Sequence, residues 1–283
     1  MPLHGTSPSP HPNPSTTHTD PNPLQTRAGT SMSRLGMADL GLATFTDMHA
    51  NAAMLASLSP TTPVIADADT GYGGPINVAH TVRSYARAGV AACHIEDQVQ
   101  EKRCGHLSGK RLVSREVYAN RLRAACKARD ESGGDIVIIA RTDARAGSDL
   151  DGNTGFDEAV ARLQLAADIG VDALFFEALQ SEKEMSRALA ACPALPMLLN
   201  MVQGGKTPQI SNAEAGKLGF RIVIWPCLGM EALVPAYQRS LEVLGKTGKP
   251  PAEECLGPTR LFEVCGLSEL MEFDRSVGGS AYD

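Results

Sequence analysis

From about residue 36 the chain alternates between two kinds of block. Short, unbroken apolar runs end in acidic or polar residues, and longer stretches with helical spacing follow them. The runs are PVIADAD (63–69), VAACHIED (90–97), IVIIARTDA (136–144), ALFFEAL (173–179), PMLLNMV (196–202) and RIVIWP (221–226). Between and after them, residues 75–89, 114–133, 156–170, 181–191, 211–219 and 230–245 read as helices, with Ser114 as an N-cap and Gly89 as a stop. Unbroken apolar runs suit strands buried on both faces, so six strand–helix units predict a parallel α/β sheet wrapped in helices. The polar residues gather at the strands' C-terminal ends: Asp67, Asp69, Glu96, Asp97, Arg141, Asp143, Glu177 and Asn200. In a TIM barrel those ends share one mouth. A doubly wound sheet would carry a GxGxxG turn after its first strand, and this sequence has none. The barrel is the preferred reading.

Residues 1–28 break the pattern. They are rich in Pro, Ser, Thr, His and Asn, and cannot bury enough apolar surface to offset their ordering entropy. We assign 1–28 to a disordered segment, 29–245 to the barrel and 246–283 to a helical tail. LFEVCGLSELMEFDRS (261–276) forms one amphipathic helix in that tail, packing on the barrel or a neighbouring subunit. The N-terminal segment lacks the apolar core of a signal peptide and the repeated arginines of a transit peptide. With 283 residues, 43% of them hydrophobic, the chain has ample material for a core. A net charge of −6 argues against nucleic acid as a partner, and no apolar run is long enough to span a bilayer. Seven scattered cysteines without a CxxC pair point to reduced thiols and a cytoplasmic location, mitochondrial being the alternative.

The chemistry concentrates in a few stretches. DADTGYGG (67–74) has carboxylates two apart, which a strand places on one face, and glycines that allow a tight turn. With Glu96 at the next strand end they form a hard-oxygen pocket for Mg²⁺, or Mn²⁺ as the alternative. Their other use is in helix caps and salt bridges. Arg141 is a fork for a carboxylate or phosphate, or an ion-pair partner of Glu96 or Glu177. Asn200 and Glu177 contact substrate or satisfy each other. EKRCGHLSGK (101–110) puts Cys104 beside Lys102, Arg103 and His106, and basic neighbours lower a thiol's pKa. The C-G-H spacing is too short for a zinc site. Gly105 and Gly109 are candidate hinges of a lid that could deliver a thiol proton, the alternative being an ordinary surface loop. Cys93 and Cys126 read as core thiols, and the other cysteines have no metal-ligand spacing.

Together KRCGH (102–106), DADTGYGG (67–74), HIEDQ (94–98), IIARTDA (138–144) and LLNMVQGG (198–205) resemble blocks of the isocitrate lyase/phosphoenolpyruvate mutase family. KRCGH is similar to the signature of its lyase and hydrolase branch. The resemblance runs from about Ala28 to Gly245. It implies a (β/α)8 TIM barrel of the phosphoenolpyruvate/pyruvate type and a homo-oligomer, dimer or tetramer. It implies Mg²⁺ held by Asp67, Asp69 and Glu96, with Asp39 of GMADLG as a further acid. Gly29 and Thr30 would give backbone donors to a substrate carboxylate, and Arg141, Glu177 and Asn200 would line the pocket. Cys104 would be the lid acid/base, supported by His106 and Arg103. The implied activity is Mg²⁺-dependent cleavage of a carbon–carbon bond in a small 2-hydroxy or 2-oxo di- or tricarboxylate, of methylisocitrate, alkylmalate or oxaloacetate type. Three features depart from the family: the first strand is not visible, Leu24 stands near the place of an expected tyrosine, and Arg27 stands where a small residue is expected. The alternative they raise is a shortened, catalytically weak relative that binds carboxylates or joins hetero-oligomers.

Overall fold

The computed structural model describes residues 24–59, 61–104, 107, 109–133, 135–252 and 256–280. Its elements, in chain order, are β1 (Leu24–Gln25), α1 (Arg27–Thr30), a π-helical turn (Ser31–Leu35), α2 (Phe45–Leu58), β2 (Ile65–Asp67), α3 (Pro75–Arg87), β3 (Ala92–Glu96) and β4 (Lys110–Arg111). Then come α4 (Arg115–Glu131), β5 (Val137–Thr142), β6 (Gly147–Ser148), α5 (Phe156–Ile169), β7 (Ala173–Phe176), α6 (Glu182–Ala191), β8 (Met197–Asn200), α7 (Asn212–Leu218) and β9 (Ile222–Ile224). Three helices close the series: α8 (Leu228–Thr247), α9 (Gly257–Glu263) and α10 (Leu267–Ser276).

Seven strands form one sheet in the order β1-β2-β3-β5-β7-β8-β9, and every pairing is parallel. The order never reverses, so there is no switch point of the kind a doubly wound sheet requires. A sheet that adds each strand on the same side, with a helix after it, is the barrel mode of winding. β4 and β6 form a separate two-stranded ladder.

The two-residue period of the strands explains where the core and the polar ends lie. Ala92, Ile139, Ala173, Phe175, Leu198 and Ile224 pack into one buried cluster, with Ile65 and Ile222 against it. A larger cluster takes the alternate residues, such as Ala66, Cys93, Ile95, Ile138, Ala140, Leu174 and Leu199, together with the buried faces of α3 to α6. The first cluster is the inner face of the sheet. One or two steps farther along that same face stand Asp67, Glu96, Arg141, Glu177 and Asn200. Apolar residues therefore plug the interior, and charged ones follow at the strands' C-terminal ends.

Several expectations change. Six strands were expected and seven are found. Leu24 and Gln25 pair in parallel with Ile65 and Ala66, so β1 covers the β2 edge. Residues 24–28, assigned by composition to the disordered segment, form β1 and the start of α1. A two-residue strand in PLQT carries no apolar run by which to find it. α2 also went unseen, although Thr44 and Asp47 form a capping box at its start. The single tail helix is two helices, because Gly266 takes a left-handed φ of 81° between them. The compact units divide after Leu228 rather than at 245, so nearly all of α8 belongs with the tail in Gly229–Asp283. None of α8, α9 or α10 contributes a fully buried residue. Among the described residues no helix is long and apolar enough to cross a membrane.

One buried network locks the ends of β3 and β5. Asp97 accepts hydrogen bonds from the Thr142 hydroxyl (2.6 Å) and the Asp143 amide (2.9 Å). Arg162, fully buried on α5, faces Asp97 at 3.3 Å and donates to Glu158 (2.7 Å), Asp149 (3.0 Å) and the Val113 carbonyl (2.9 Å). Removing that guanidinium leaves buried carboxylates uncompensated. Arg162→Met, which keeps the stem, is expected to cost about 3–5 kcal/mol in urea unfolding. Arg115→Ala removes a half-exposed α4 side chain from its pair with Glu158 on α5 and is expected to cost less than about 1 kcal/mol. Equal costs would contradict the argument from burial.

Candidate active site

Asp67 is the last residue of β2. Asp69 is not on the strand; it sits in the turn beyond, with a left-handed φ of 54°. Asp is one of the few residues that tolerates this conformation, and two bonds hold it there. The Asp69 amide donates to Asp67 Oδ1 (2.8 Å), and the Asp69 carbonyl accepts from the Glu96 amide (2.8 Å). The two acids thus meet through a turn, not through the strand pleat that their spacing had implied. Gly71, with φ 86°, lies so close to the Val78 side chain that a Cβ would overlap it. The Tyr85 hydroxyl donates to the Asp67 carbonyl (3.0 Å), fixing the strand end from α3.

Asp39, Asp67, Asp69 and Glu96 do come together, but around two cations. The Arg27 amide donates to Asp67 Oδ2 (2.9 Å). The Arg27 guanidinium pairs with Asp69, lies 3.9 Å from Asp39, donates to the Ala43 carbonyl and rests 5.7 Å from the centre of the Tyr72 ring. Lys102 Nζ stands 3.1 Å from Asp69, 3.4 Å from Asp39 and 3.8 Å from Glu96. Both cations are buried, at 3% exposure each. In this arrangement no three His, Cys, Asp or Glu side chains among the described residues converge closely enough to hold a metal ion. The oxygens are nonetheless of the hard type a divalent cation takes. Glu96 is fully buried, and neither of its carboxylate oxygens has a hydrogen-bond partner. The donor set fits such an ion chemically, with two resident cations in its midst.

Lys102 was read as a neighbour that tunes Cys104, and its own place among the acids was missed. His94 was also missed. It is buried on the inner face of β3, with Nδ1 3.6 Å from Asp67 and its ring edge-on to Phe175. Its position two residues before Glu96 was the available signal.

On the other side of Glu96, Arg141 Nε lies 3.3 Å from Glu96 and 2.9 Å from Asp143, and Nη2 lies 3.5 Å from Glu177. The guanidinium sits 4.9 Å over the Phe175 ring. Asn200 donates to Glu177 (3.0 Å), and Lys110 pairs with Asp143 (2.7 Å). Arg141, Glu177 and Asn200 are therefore joined, each in the protein-internal role named as its alternative. Gly29 and Thr30 are placed otherwise than expected. The Gly29 amide donates to the Thr26 hydroxyl (2.8 Å) and the Thr30 amide to the Thr26 carbonyl (2.9 Å), because Thr26 caps α1. Both amides are spent within the helix. Arg103 is clamped through its backbone by Gln98, whose side chain accepts from the Arg103 amide (3.2 Å) and donates to its carbonyl (3.0 Å). The Cys104 carbonyl accepts from the Leu107 amide (2.9 Å). His106 and Gly105 lie outside the described residues.

Burial and charge pull these groups apart in acidity. Burial raises the Glu96 carboxyl to about 7, against the opposing pull of Lys102 and Arg141. Burial also acts on Asp67, but His94, Lys102 and Arg141 outweigh it and leave that carboxyl below its ordinary value. For Asp143, Arg141 and Lys110 overcome burial and hold it well below the carboxylate range. Burial opposes the charge on Lys102, yet Glu96, Asp67 and Asp39 keep it protonated.

For Glu96 the folded pKa lies above the ordinary 4.5, so the group's contribution is fully present below pH 4.5 and lost as pH rises through 7. Glu96→Gln mimics the protonated form and removes that dependence. In chelator-treated protein, wild type is expected to lose on the order of 3 kcal/mol relative to Glu96→Gln between pH 4.5 and 8, measured by urea midpoints. Parallel pH profiles would contradict the assignment.

Comparison with known proteins agrees with this geometry. The family described as phosphoenolpyruvate phosphomutase matches residues 24–244. A 2,3-dimethylmalate lyase of Eubacterium barkeri is 43% identical over 198 residues, 70% of this chain and 65% of that protein's length. A 2-methylisocitrate lyase of Halalkalibacterium halodurans is 36% identical over 86% of this chain and 77% of its own. Among solved structures, an oxaloacetate acetylhydrolase bound to the inhibitor 3,3-difluorooxalacetate superimposes with a TM-score of 0.86 at 45% identity, covering 92% of this chain and 86% of the other. With its singly wound parallel sheet and its charged strand ends, the chain belongs to the phosphoenolpyruvate mutase/isocitrate lyase family.

Proposed function

We propose that the chain is a Mg²⁺-dependent carbon–carbon lyase or hydrolase of small 2-hydroxy or 2-oxo di- or tricarboxylates. The observation that carries this reading is the continuous polar path along the mouth, from Asp39 through Lys102, Asp69 and Glu96 to Arg141, Glu177 and Asn200. It pairs a hard-oxygen group with a buried guanidinium, which suits a substrate carrying an oxygen at carbon 2 and several carboxylates. The named relatives, two lyases and a hydrolase of such acids, support the same class.

Asp39, Asp67, Asp69 and Glu96 are the residues that would hold the ion, whose chemistry there is Lewis-acid polarisation of the substrate's 2-oxygen. Arg141 is held rigid by Asp143, Glu96, the Phe175 face and a bond from the Tyr118 hydroxyl to its own carbonyl (2.7 Å). It binds a carboxylate and offsets the negative charge that grows as the bond breaks. In the lyase form, the 2-hydroxyl gives its proton to solvent, which later restores the proton of the Cys104 thiol, and the carbon–carbon electron pair passes to the leaving carbon. That carbon takes a proton from the Cys104 thiol, giving a 2-oxo acid and a second carboxylate. In the hydrolase form, water adds to the 2-oxo carbon before the same bond breaks. A second reading, a carboxylate-binding relative of weak turnover, draws on one observation, the place of Arg27 among the acids.

The test is an NMR panel of isocitrate, 2-methylisocitrate, 2,3-dimethylmalate, oxaloacetate and phosphonopyruvate, with Mg²⁺ and with EDTA. Mg²⁺-dependent cleavage of one member is the expected result. Silence across the panel from folded protein would remove the enzymatic reading in favour of the binding one. With the active substrate, Cys104→Ser is expected to lower kcat by about 10²–10⁴ while leaving substrate binding in place. Full turnover would remove Cys104 from the mechanism.

A further inference from the structure

The acid group is partly offset from within before any metal arrives. Among the described residues, the mouth carboxylates of Asp39, Asp69, Glu96, Asp143 and Glu177 lie against four cations, Arg27, Lys102, Lys110 and Arg141, while Asp67 accepts from the Arg27 amide. Three of the cations come from strand ends and from the connection after Glu96. Arg27 alone comes from the segment that follows β1, and it reaches the acids from the far side. Its side chain is 3% exposed, so bulk solvent screens its charge little. It pairs directly with Asp69 and approaches Asp39, two of the four carboxylates suited to a divalent ion.

We propose that the Arg27 guanidinium is a built-in competitor for the divalent cation: it occupies the Asp69 and Asp39 side of the acid group, and metal enters only when it leaves. The inference rests on the reading of Asp39, Asp67, Asp69 and Glu96 as the metal-holding set. Three observations support it. The guanidinium is anchored by more than charge, through the Ala43 carbonyl and the Tyr72 ring, so leaving has a cost beyond one ion pair. Both Glu96 oxygens, Asp69 Oδ1 and Asp39 Oδ1 have no hydrogen-bond partner, so the acids keep an unmet demand for a cation even with Arg27 in place. The Arg27 amide also bonds Asp67 Oδ2, and a side-chain substitution leaves that backbone bond available. The effect of the guanidinium can therefore be separated from the effect of the chain's path.

Two charges compete for one set of oxygens, so affinity for the ion falls by the cost of displacing Arg27. The same competition predicts an opposite effect on the metal-free protein, because without Arg27 the buried acids lose a counter-charge. The experiment titrates wild type, Arg27→Ser and Arg27→Gln with Mn²⁺, following free ion by electron paramagnetic resonance, and records Tm of each in EDTA and in excess Mg²⁺. Arg27→Gln keeps the length and hydrogen-bonding capacity of the side chain without its charge, in case Arg27→Ser does not fold. The expected result is Mn²⁺ binding at least tenfold tighter in both variants than in wild type. Their Tm should fall in EDTA and recover in Mg²⁺ by more than wild type gains. Equal, measurable Mn²⁺ affinity in all three proteins would overturn the role of Arg27 and leave the metal reading intact. No Mn²⁺ binding by any of the three would overturn both.

Discussion

Everything at the mouth of this sheet follows from one constraint: ionised groups placed on the inner face of a closely packed parallel sheet must balance one another. Removing a carboxylate from water costs several kcal/mol unless a cation or donors meet it. Below the mouth, Ile139, Phe175 and Leu198 fill the inner face with apolar side chains. Each acid at a strand end is accordingly met by a base from another element. Asp143 has Arg141 and Lys110, Asp69 has Arg27 and Lys102, and Glu177 has Arg141 and Asn200. Glu96 lies between the two halves, and its full burial raises it to about 7 against the pull of Lys102 and Arg141.

That arrangement also bears on the proposed chemistry. A buried guanidinium tied to fixed carboxylates does not reorganise when charge develops nearby, so it acts as a preformed electrostatic support. The same rigidity restricts what can enter. Under the proposed function, a substrate carboxylate that binds Arg141 must replace part of the attraction that Glu96, Asp143 and Glu177 already exert, so specificity and internal stability would draw on the same contacts.

Much of this was legible in the sequence, and the reason is periodicity. Ile139 and Arg141, Phe175 and Glu177, Leu198 and Asn200 are each two residues apart, so an apolar run ending in a polar residue encodes both the plug and the mouth. The acids Asp67, Asp69, Glu96 and Asp39 were all found, although the turn at Asp69 that brings them together was not, since φ at a single residue leaves no periodic trace. The signals that failed were short or local. β1 is two residues long, and the amides of Gly29 and Thr30 were claimed by the Thr26 cap, a contest between helix capping and ligand binding that the pattern AGTS does not decide. Lys102 was hidden by its own context, because a lysine beside Arg103 reads as a solvated charge until the fold buries it.

Arg27 shows how far a single position can redirect a site whose other members are intact. It departs from the pattern at a place where a small residue was expected, and its amide keeps the backbone bond to Asp67 that any residue there would make. Only the side chain is new. A long cation grown from that backbone position reaches the acids because β1 pairs with β2 in parallel and brings residue 27 alongside the end of that strand. The acids accept it because they are in excess. A surplus of buried carboxylate is thus open to either kind of cation, a free ion or a tethered one, and the tethered one has the entropic advantage of being always present. If the acids hold a metal as proposed, turnover depends on which of these two cations holds Asp69.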